Sequence, residues 1–310
     1  MKNKILKGVI AVLPTPLDAK ENIDEVGIRS VINFLSPFNI PIFALGSAGE
    51  GMNLTLDDRI IASKAIARAN NGKNTVLIGG GTFGLKDSLN FIDAISSEKI
   101  DGIHVIPYDN KISPYNIKNF YKELADNSPL PIWIYQNTTR TNGIPIDVVS
   151  ELSLHPNIHG IKIAGFDLRL NQSFMTLNSD EFQVFGSADS QFFSFICHGL
   201  QASSSSSAAC FPELFLYLYN CIMSNDLNHA QEVNKIISRF LKTLPRGAYK
   251  DNGESAAEVK YLLSLRGICS EYVAKPYRIQ NVEEKEIAKK AYKKYTNFLS
   301  TNDINELVND

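Results

Sequence analysis

Short apolar runs alternate with amphipathic stretches along most of this chain, and that alternation limits the folds open to it. The runs span 8–13, 41–45, 75–79, 102–106, 131–135, 159–164, 182–185 and, less clearly, 200–205. Several are apolar throughout, such as Val9-Ile10-Ala11-Val12-Leu13 and Ile132-Trp133-Ile134-Tyr135. Parallel strands buried on both faces have this character, whereas a half-exposed strand alternates polar and apolar residues. Helical segments lie between the runs. One covers 24–34 with Asp24 as its N-cap, and one covers 56–69, opened by Thr55 and the acidic pair Asp57-Asp58. Another starts at Ser113-Pro114 with proline at the first helical position, and two more cover 189–197 and 211–223. Strand and helix alternating eight times predict an α/β chain, a (β/α)8 (TIM) barrel. A doubly wound sheet shares the alternation, but no Gly-x-Gly-x-x-Gly follows the first strand.

Strand signals stop near residue 223. The segments 227–241, 255–266 and 282–299 all have helical period. The expected organisation is a barrel over 1–223 carrying the active site and a C-terminal helical domain over 224–310. A net charge of -2, from 31 basic and 33 acidic side chains, gives no general attraction to nucleic acid or to an anionic membrane. No run reaches the roughly 18 apolar residues of a membrane span. The apolar run after Lys7 meets Pro14-Thr15-Pro16 too soon for a signal sequence. Cys197, Cys210, Cys221 and Cys269 show no Cys-x-x-Cys spacing, which suits thiols in a reduced, cytoplasmic compartment. His104, His155, His159, His198 and His229 form no metal-ligand spacing, so no metal and no cofactor are expected.

In a barrel, reactive groups sit at the C-terminal ends of strands. Lys162 interrupts the apolar sixth run, where a lysine is costly unless it is paired. Burial lowers a lysine pKa, and the neutral amine so formed attacks carbonyl groups to give a Schiff base. The plainer alternative is a strand-edge lysine reaching water. Gly46-Ser47-Ala48-Gly49-Glu50 is a glycine-flanked turn whose backbone N–H groups suit a carboxylate, or else a simple strand-to-helix loop. Tyr135 closes the fifth run, either as a reactive phenol or as a core tyrosine with a satisfied hydroxyl. Thr15, Tyr108, Asp109 and Gly186 stand at other strand ends, and five serines, Ser203 to Ser207, fall where the eighth strand meets the active-site face.

Taken in order, these segments resemble the dihydrodipicolinate synthase/N-acetylneuraminate lyase family of class I aldolases. Lys7-Gly8-Val9-Ile10 with Pro14-Thr15-Pro16 is similar to the family's first strand, and Gly46-Ser47-Ala48-Gly49-Glu50 to its Gly-Ser/Thr-Thr-Gly-Glu loop. Ile134-Tyr135-Gln136-Asn137 resembles its fifth strand, and Gly160-Ile161-Lys162 the strand of its Schiff-base lysine. Phe211-Pro212-Glu213-Leu214 and Val259-Lys260-Tyr261-Leu262-Leu263 resemble later helices, so the likeness covers essentially the whole chain.

The resemblance implies a homotetrameric lyase that binds pyruvate or a pyruvate-derived 2-oxo acid as an imine on Lys162. It makes Tyr135 the general acid/base and Ser47 its proton relay. It places the substrate carboxylate on Ser47 and on the N–H of Ala48, with Thr15, Gly186 and Ser204 lining the pocket. Arg140 stands where synthases carry an arginine for the aldehyde substrate's carboxylate. Three departures are visible. Ala48 replaces a common second hydroxyl, Tyr108-Asp109 replaces a Tyr-Tyr pair whose second member completes a relay in a neighbouring subunit, unless Tyr108 takes that role with Asp109 facing solvent, and serines replace Gly-x-Ile-Ser-Gly in the eighth strand. A more polar pocket wall is expected from the serines. The departures favour an aldolase, hydratase or condensing enzyme for another 2-oxo acid, a carbon–carbon (or carbon–oxygen) lyase, over a 4-hydroxy-tetrahydrodipicolinate synthase acting on pyruvate and aspartate semialdehyde. A catalytically silent barrel with a binding role is the contrasting class, opposed by retention of Lys162, Tyr135 and Ser47.

Overall fold

The computed structural model describes residues 6–81, 84–107, 111–245 and 255–309. Eight parallel strands close into a barrel in sequence order: β1 (Gly8–Leu13), β2 (Ile42–Ala44), β3 (Val76–Gly79), β4 (Gly102–Val105), β5 (Ile132–Asn137), β6 (Ile158–Ala164), β7 (Gln183–Ser187) and β8 (Ala202–Ser205). Pairing of β1 with β8 excludes an open doubly wound sheet. Every expected strand is present, with ends moved by a few residues. Around the strands run α1 (Glu25–Leu35), α2 (Leu56–Asn70), α3 (Leu85–Ile95), α4 (Pro114–Asn127), α5 (Ile146–Leu152), α6 (Leu168–Met175), α7 (Phe192–Cys197) and α8 (Pro212–Met223). The expected caps are in place. Asp24 accepts from the Gly27 N–H, Thr55 from that of Asp58 and Ser113 from that of Asn116. Among the described residues, no helix is long and apolar enough to cross a membrane.

Strand alternation divides the apolar residues into two cores. Residues facing outward, such as Ile42, Ile78 and Ile103, pack under the helices. The inward set includes Ile10, Val12, Phe43, Leu77, Trp133, Tyr135, Phe185 and Ala202. Two glycines make room for the largest of these. A Cβ at Gly102 would stand 2.9 Å from the Trp133 ring, and one at Gly160 would collide with it. The barrel is therefore a packed core whose free space lies at the C-terminal ends of the strands.

The C-terminal segment adds α9 (Leu227–Thr243), α10 (Ser255–Leu265) and α11 (Val282–Thr301). It reaches back to the barrel through a buried ion pair between Lys260 of α10 and Glu50, which follows β2, both side chains being fully enclosed. Lys260 also donates to the Tyr272 carbonyl, 2.7 Å, and Glu50 accepts from the Ala274 N–H, 2.7 Å. Burial pushes the Glu50 carboxyl up and the Lys260 amine down, so the pair opposes a large desolvation cost. Removing one partner strands the other charge. Lys260→Ala is expected to lose ~3–5 kcal/mol in urea unfolding. The double variant Glu50→Gln/Lys260→Met is expected to lose less, and a double variant as unstable as the single one would show that the stranded carboxylate is not the cause.

Candidate active site

Three adjacent inward positions build the reactive centre. Register places Tyr135 of β5 beside Lys162 of β6, and Lys162 beside Phe185 of β7. Lys162 is 3% exposed and Tyr135 is 5% exposed. The Lys162 Nζ lies 3.7 Å from the centre of the Phe43 ring and 4.6 Å from that of Tyr135. A strand-edge lysine reaching water is thereby excluded. Burial pulls the Lys162 amine below the ordinary lysine value, while the Tyr135 phenol works the other way. Burial pushes the Tyr135 phenol up, but the Lys162 charge, the Ser47 hydroxyl, the Asn137 amide and the Arg140 charge outweigh it and bring it below its ordinary value. The Asn137 side-chain amide donates to the phenol oxygen at 3.0 Å. One proton shared between amine and phenol gives either an ammonium with a phenolate or a neutral amine with a phenol, and the second form is the nucleophile.

The loop after β2 brings Ser47 to this pair. Its path is tight: a Cβ at Gly49 would stand 2.8 Å from the Leu13 carbonyl oxygen. Glu50 has a left-handed φ of 59°, and its N–H bonds the Ser47 carbonyl at 3.1 Å. Thr15 is buried, and its hydroxyl donates to the Gly49 carbonyl at 2.6 Å, so it braces the loop. Ala48 is half-buried against the barrel interior. A cavity of about 20 Å³ lies beside the loop, bordered by Gly46, Ser47, Arg59, Gly79, His104 and Tyr135. That volume admits about one water.

The other candidates occupy distinct places. Arg140 is partly exposed on the turn after β5 and acts on Tyr135 through its charge. Gly186 turns its α-carbon toward Phe195 of α7 and offers the interior only its backbone. Alternation along β8 puts Ser204 inward with Ile10, and Ser203 and Ser205 on the helix side. The Ser204 hydroxyl donates to the Gly186 carbonyl at 3.2 Å. The polar wall expected from five serines thus reduces, along the strand, to one inward hydroxyl. Ser207 instead donates to the buried Asp189, whose carboxyl is pushed up by burial against the nearby hydroxyls of Ser205 and Ser207. Tyr108 and Asp109 lie outside the described residues.

Sequence reasoning missed Phe43, His104, Asn137 and the Glu50–Lys260 pair. His104 carries the same signal as Lys162, a titratable side chain inside an apolar run, and metal-ligand spacing does not reveal it.

A closed (β/α)8 barrel with a desolvated amine against a phenol at its strand ends has the architecture of a class I aldolase. The sequence model of the dihydrodipicolinate synthetase family matches residues 5–295. An N-acetylneuraminate lyase of Rhizobium meliloti is 27% identical over 287 residues, covering 91% of this chain and 92% of that protein. A 4-hydroxy-tetrahydrodipicolinate synthase of Karelsulcia muelleri is 26% identical over 306 residues, covering 97% of this chain and 100% of that protein. Among solved structures, a Ruminococcus gnavus sialic acid aldolase superposes with a TM-score of 0.86 at 21% identity, covering 95% of this chain and 98% of that one. A dihydrodipicolinate synthase from Bacteroides thetaiotaomicron does so with a TM-score of 0.84 at 24% identity, covering 93% and 98%. These two likenesses concern the fold. The chain belongs to the dihydrodipicolinate synthetase family. It is an enzyme, a carbon–carbon lyase of the class I aldolase type, and the family supports a pyruvate-dependent reaction.

The phenol of Tyr135 lies beside the amine, and each shifts the other's proton affinity. Tyr135→Phe is expected to cut turnover by roughly 10²-fold or more, the scale of a lost acid/base, with an unchanged circular dichroism spectrum. A rate within a factor of a few of the wild type would remove Tyr135 from the chemistry.

Proposed function

We propose that this enzyme forms an imine between Lys162 and pyruvate, or a pyruvate-derived 2-oxo acid, and makes or breaks a carbon–carbon bond next to it. The observation that carries this reading is the Lys162 amine, buried at 3% exposure against the rings of Phe43 and Tyr135. The neutral amine attacks the 2-oxo carbon. A nitrogen–carbon bond forms, the carbonyl electron pair moves to oxygen, and the phenol of Tyr135 supplies that oxygen with a proton. After a proton leaves the nitrogen and a second reaches the oxygen, the carbon–oxygen bond breaks and water departs. Ser47 and the Ala48 N–H receive the substrate carboxylate, Ser47 also relays the phenol's proton, and Arg140 offers a charge toward a second substrate.

Incubation with pyruvate and borohydride, followed by intact mass, tests the imine. One reduced pyruvate adduct is expected on the wild type and none on Lys162→Ala. An adduct of unchanged yield on the variant, at another lysine, would overturn the assignment. The pH dependence has a defined sign. Only the neutral amine attacks, and the Lys162 pKa is lowered from 10.5, so trapping rises with pH through a midpoint below that value, and falls again where the Tyr135 phenol that supplies the proton ionises. A midpoint at or above it would contradict a desolvated amine.

For the second substrate, we propose an acceptor other than aspartate semialdehyde. Asp109 stands where the resemblance calls for a tyrosine, and an ionised carboxylate accepts hydrogen bonds but donates none. It also repels an acceptor that bears a carboxylate nearby. Arg140 favours the contrary reading, because it matches the synthase arginine. A steady-state assay with pyruvate and aspartate semialdehyde separates the two. A kcat/KM of about 10⁴ M⁻¹s⁻¹ or more, in the ordinary enzyme range, would establish the synthase reading.

A further inference from the structure

We propose that His104 is a positioning residue: by stacking on Phe43 it fixes the aromatic platform on which the Lys162 amine sits. This rests on the reading of Lys162 as the imine-forming lysine. His104 faces into the barrel from β4, at 3% exposure. Its ring centre lies 3.6 Å from that of Phe43 with the planes inclined by 15°, a face-to-face stack. The Lys162 Nζ lies 3.7 Å from the same Phe43 centre. Two groups at that height over one face would overlap, since heavy atoms in contact stand about 3.5–4.0 Å apart. Amine and imidazole therefore lie on opposite faces of Phe43, and the ring is clamped between them.

The stack is anchored and given space. The His104 Nε2 is 2.9 Å from the Ala44 carbonyl oxygen, so it carries the proton and donates to the residue next to Phe43. The imidazole is thus tied to the strand whose ring it supports. A Cβ at Gly46 would stand 2.7 Å from the Phe43 ring, and one at Gly79 would stand 2.9 Å from His104 Cε1. Side chains at either position would displace the pair. Tyr135 sets its ring edgewise to both, 5.7 Å from Phe43 at 82° and 5.8 Å from His104 at 85°. Amine, phenol, phenyl and imidazole form one packed unit. Burial holds the imidazole neutral, and the Lys162 and Arg59 charges act in the same direction, against the Ala44 hydrogen bond. The titratable groups around the amine are then Tyr135 and, across the ring, His104, with Arg59 and Arg140 acting on those two. His104 also borders the cavity beside Ser47 and Tyr135. Losing its ring would open the space behind Phe43 to that cavity and to water.

Two variants separate the ring from the hydrogen bond. His104→Gln keeps an N–H donor without a ring, and His104→Phe keeps a ring without the donor. Two quantities are measured on each folded protein: the borohydride trapping rate at saturating pyruvate, and the pH midpoint of Lys162 acetylation by acetic anhydride without pyruvate, read by peptide mass. His104→Gln is expected to trap roughly 10-fold more slowly or worse, the scale of a misplaced reacting group. Its acetylation midpoint is expected to rise toward the ordinary lysine value of 10.5 as water reaches the amine. His104→Phe is expected to stay within about twofold of wild type in trapping and to keep its midpoint. If His104→Gln does not fold, His104→Leu, apolar and non-aromatic, takes its place with the same expectation. A non-aromatic variant with wild-type trapping and midpoint overturns the proposal, and so does a His104→Phe protein that behaves like His104→Gln. If wild type itself is not trapped by pyruvate, the imine reading fails, and the acetylation midpoints still decide the role of His104.

Discussion

Withdrawing the Lys162 ammonium from water costs free energy that its surroundings only partly return, and the nature of those surroundings decides what the amine can do. A carboxylate at this position would hold the amine charged by raising its pKa. The partners here are a phenyl face and a phenol. Amine and phenol each lie below their ordinary pKa, so the two groups compete for one proton. Burial alone would make the phenol still weaker, and the Ser47 hydroxyl, the Asn137 amide and the Arg140 charge join the Lys162 charge in reversing that. Electrostatics and packing therefore act on one proton: the apolar interior favours the neutral amine, and the polar rim keeps the phenol able to receive what the amine gives up.

The polar rim depends on a structure remote in sequence. Ser47 rides on a loop whose next charged residue, Glu50, is paired with Lys260 of α10 and bonded by the Ala274 N–H. Thr15 grips the same loop from the end of β1. Inserting two charges into a protein interior is a poor way to gain stability, because apolar residues of similar volume do as well. The pair has a different effect here. It ties the loop that carries Ser47 to the C-terminal helices, so an element remote in sequence helps hold that loop.

What could be read from the sequence follows from how local each signal is. The strands were legible because burial on both faces leaves continuous apolar runs, and Lys162 because it breaks one. The helices α3, α5 and α6 were not. α3 begins without a side-chain cap at Gly84, while α5 has 7 residues and α6 has 8, too short for a clear 3.6-residue period. The Glu50–Lys260 pair joins distant segments, and one sequence carries no trace of that pairing. His104 was visible as a polar residue in an apolar strand, but its partner Phe43 looks like any core phenylalanine. Only the barrel register brings the two rings together. The same register resolved the serine run, which composition left ambiguous.

That run also shows how a polar strand can serve a barrel without making its pocket polar. β8 is a strand of poor β-propensity, yet Ser203, Ser204 and Ser205 are all buried. Buried hydroxyls mostly find partners, and those of Ser204 and Ser205 do, whereas the Ser203 hydroxyl has none among the described residues. Ser204 spends its proton on the Gly186 carbonyl of the neighbouring strand. Ser205 accepts from the Ala208 N–H and lies close enough to Asp189 to favour its charged form, and Ser207, just beyond the strand, donates to Asp189. Asp189 is a carboxyl at 5% exposure that burial pushes toward its neutral form. Replacing Ser205 and Ser207 by apolar residues would leave that carboxyl without its neighbouring hydroxyls. Ser205 and Ser207 are therefore explained by the acid beside them: an interior that contains Asp189 needs hydroxyl groups close to the end of β7, and small side chains at the end of β8 and just beyond it supply them without displacing the inward rings.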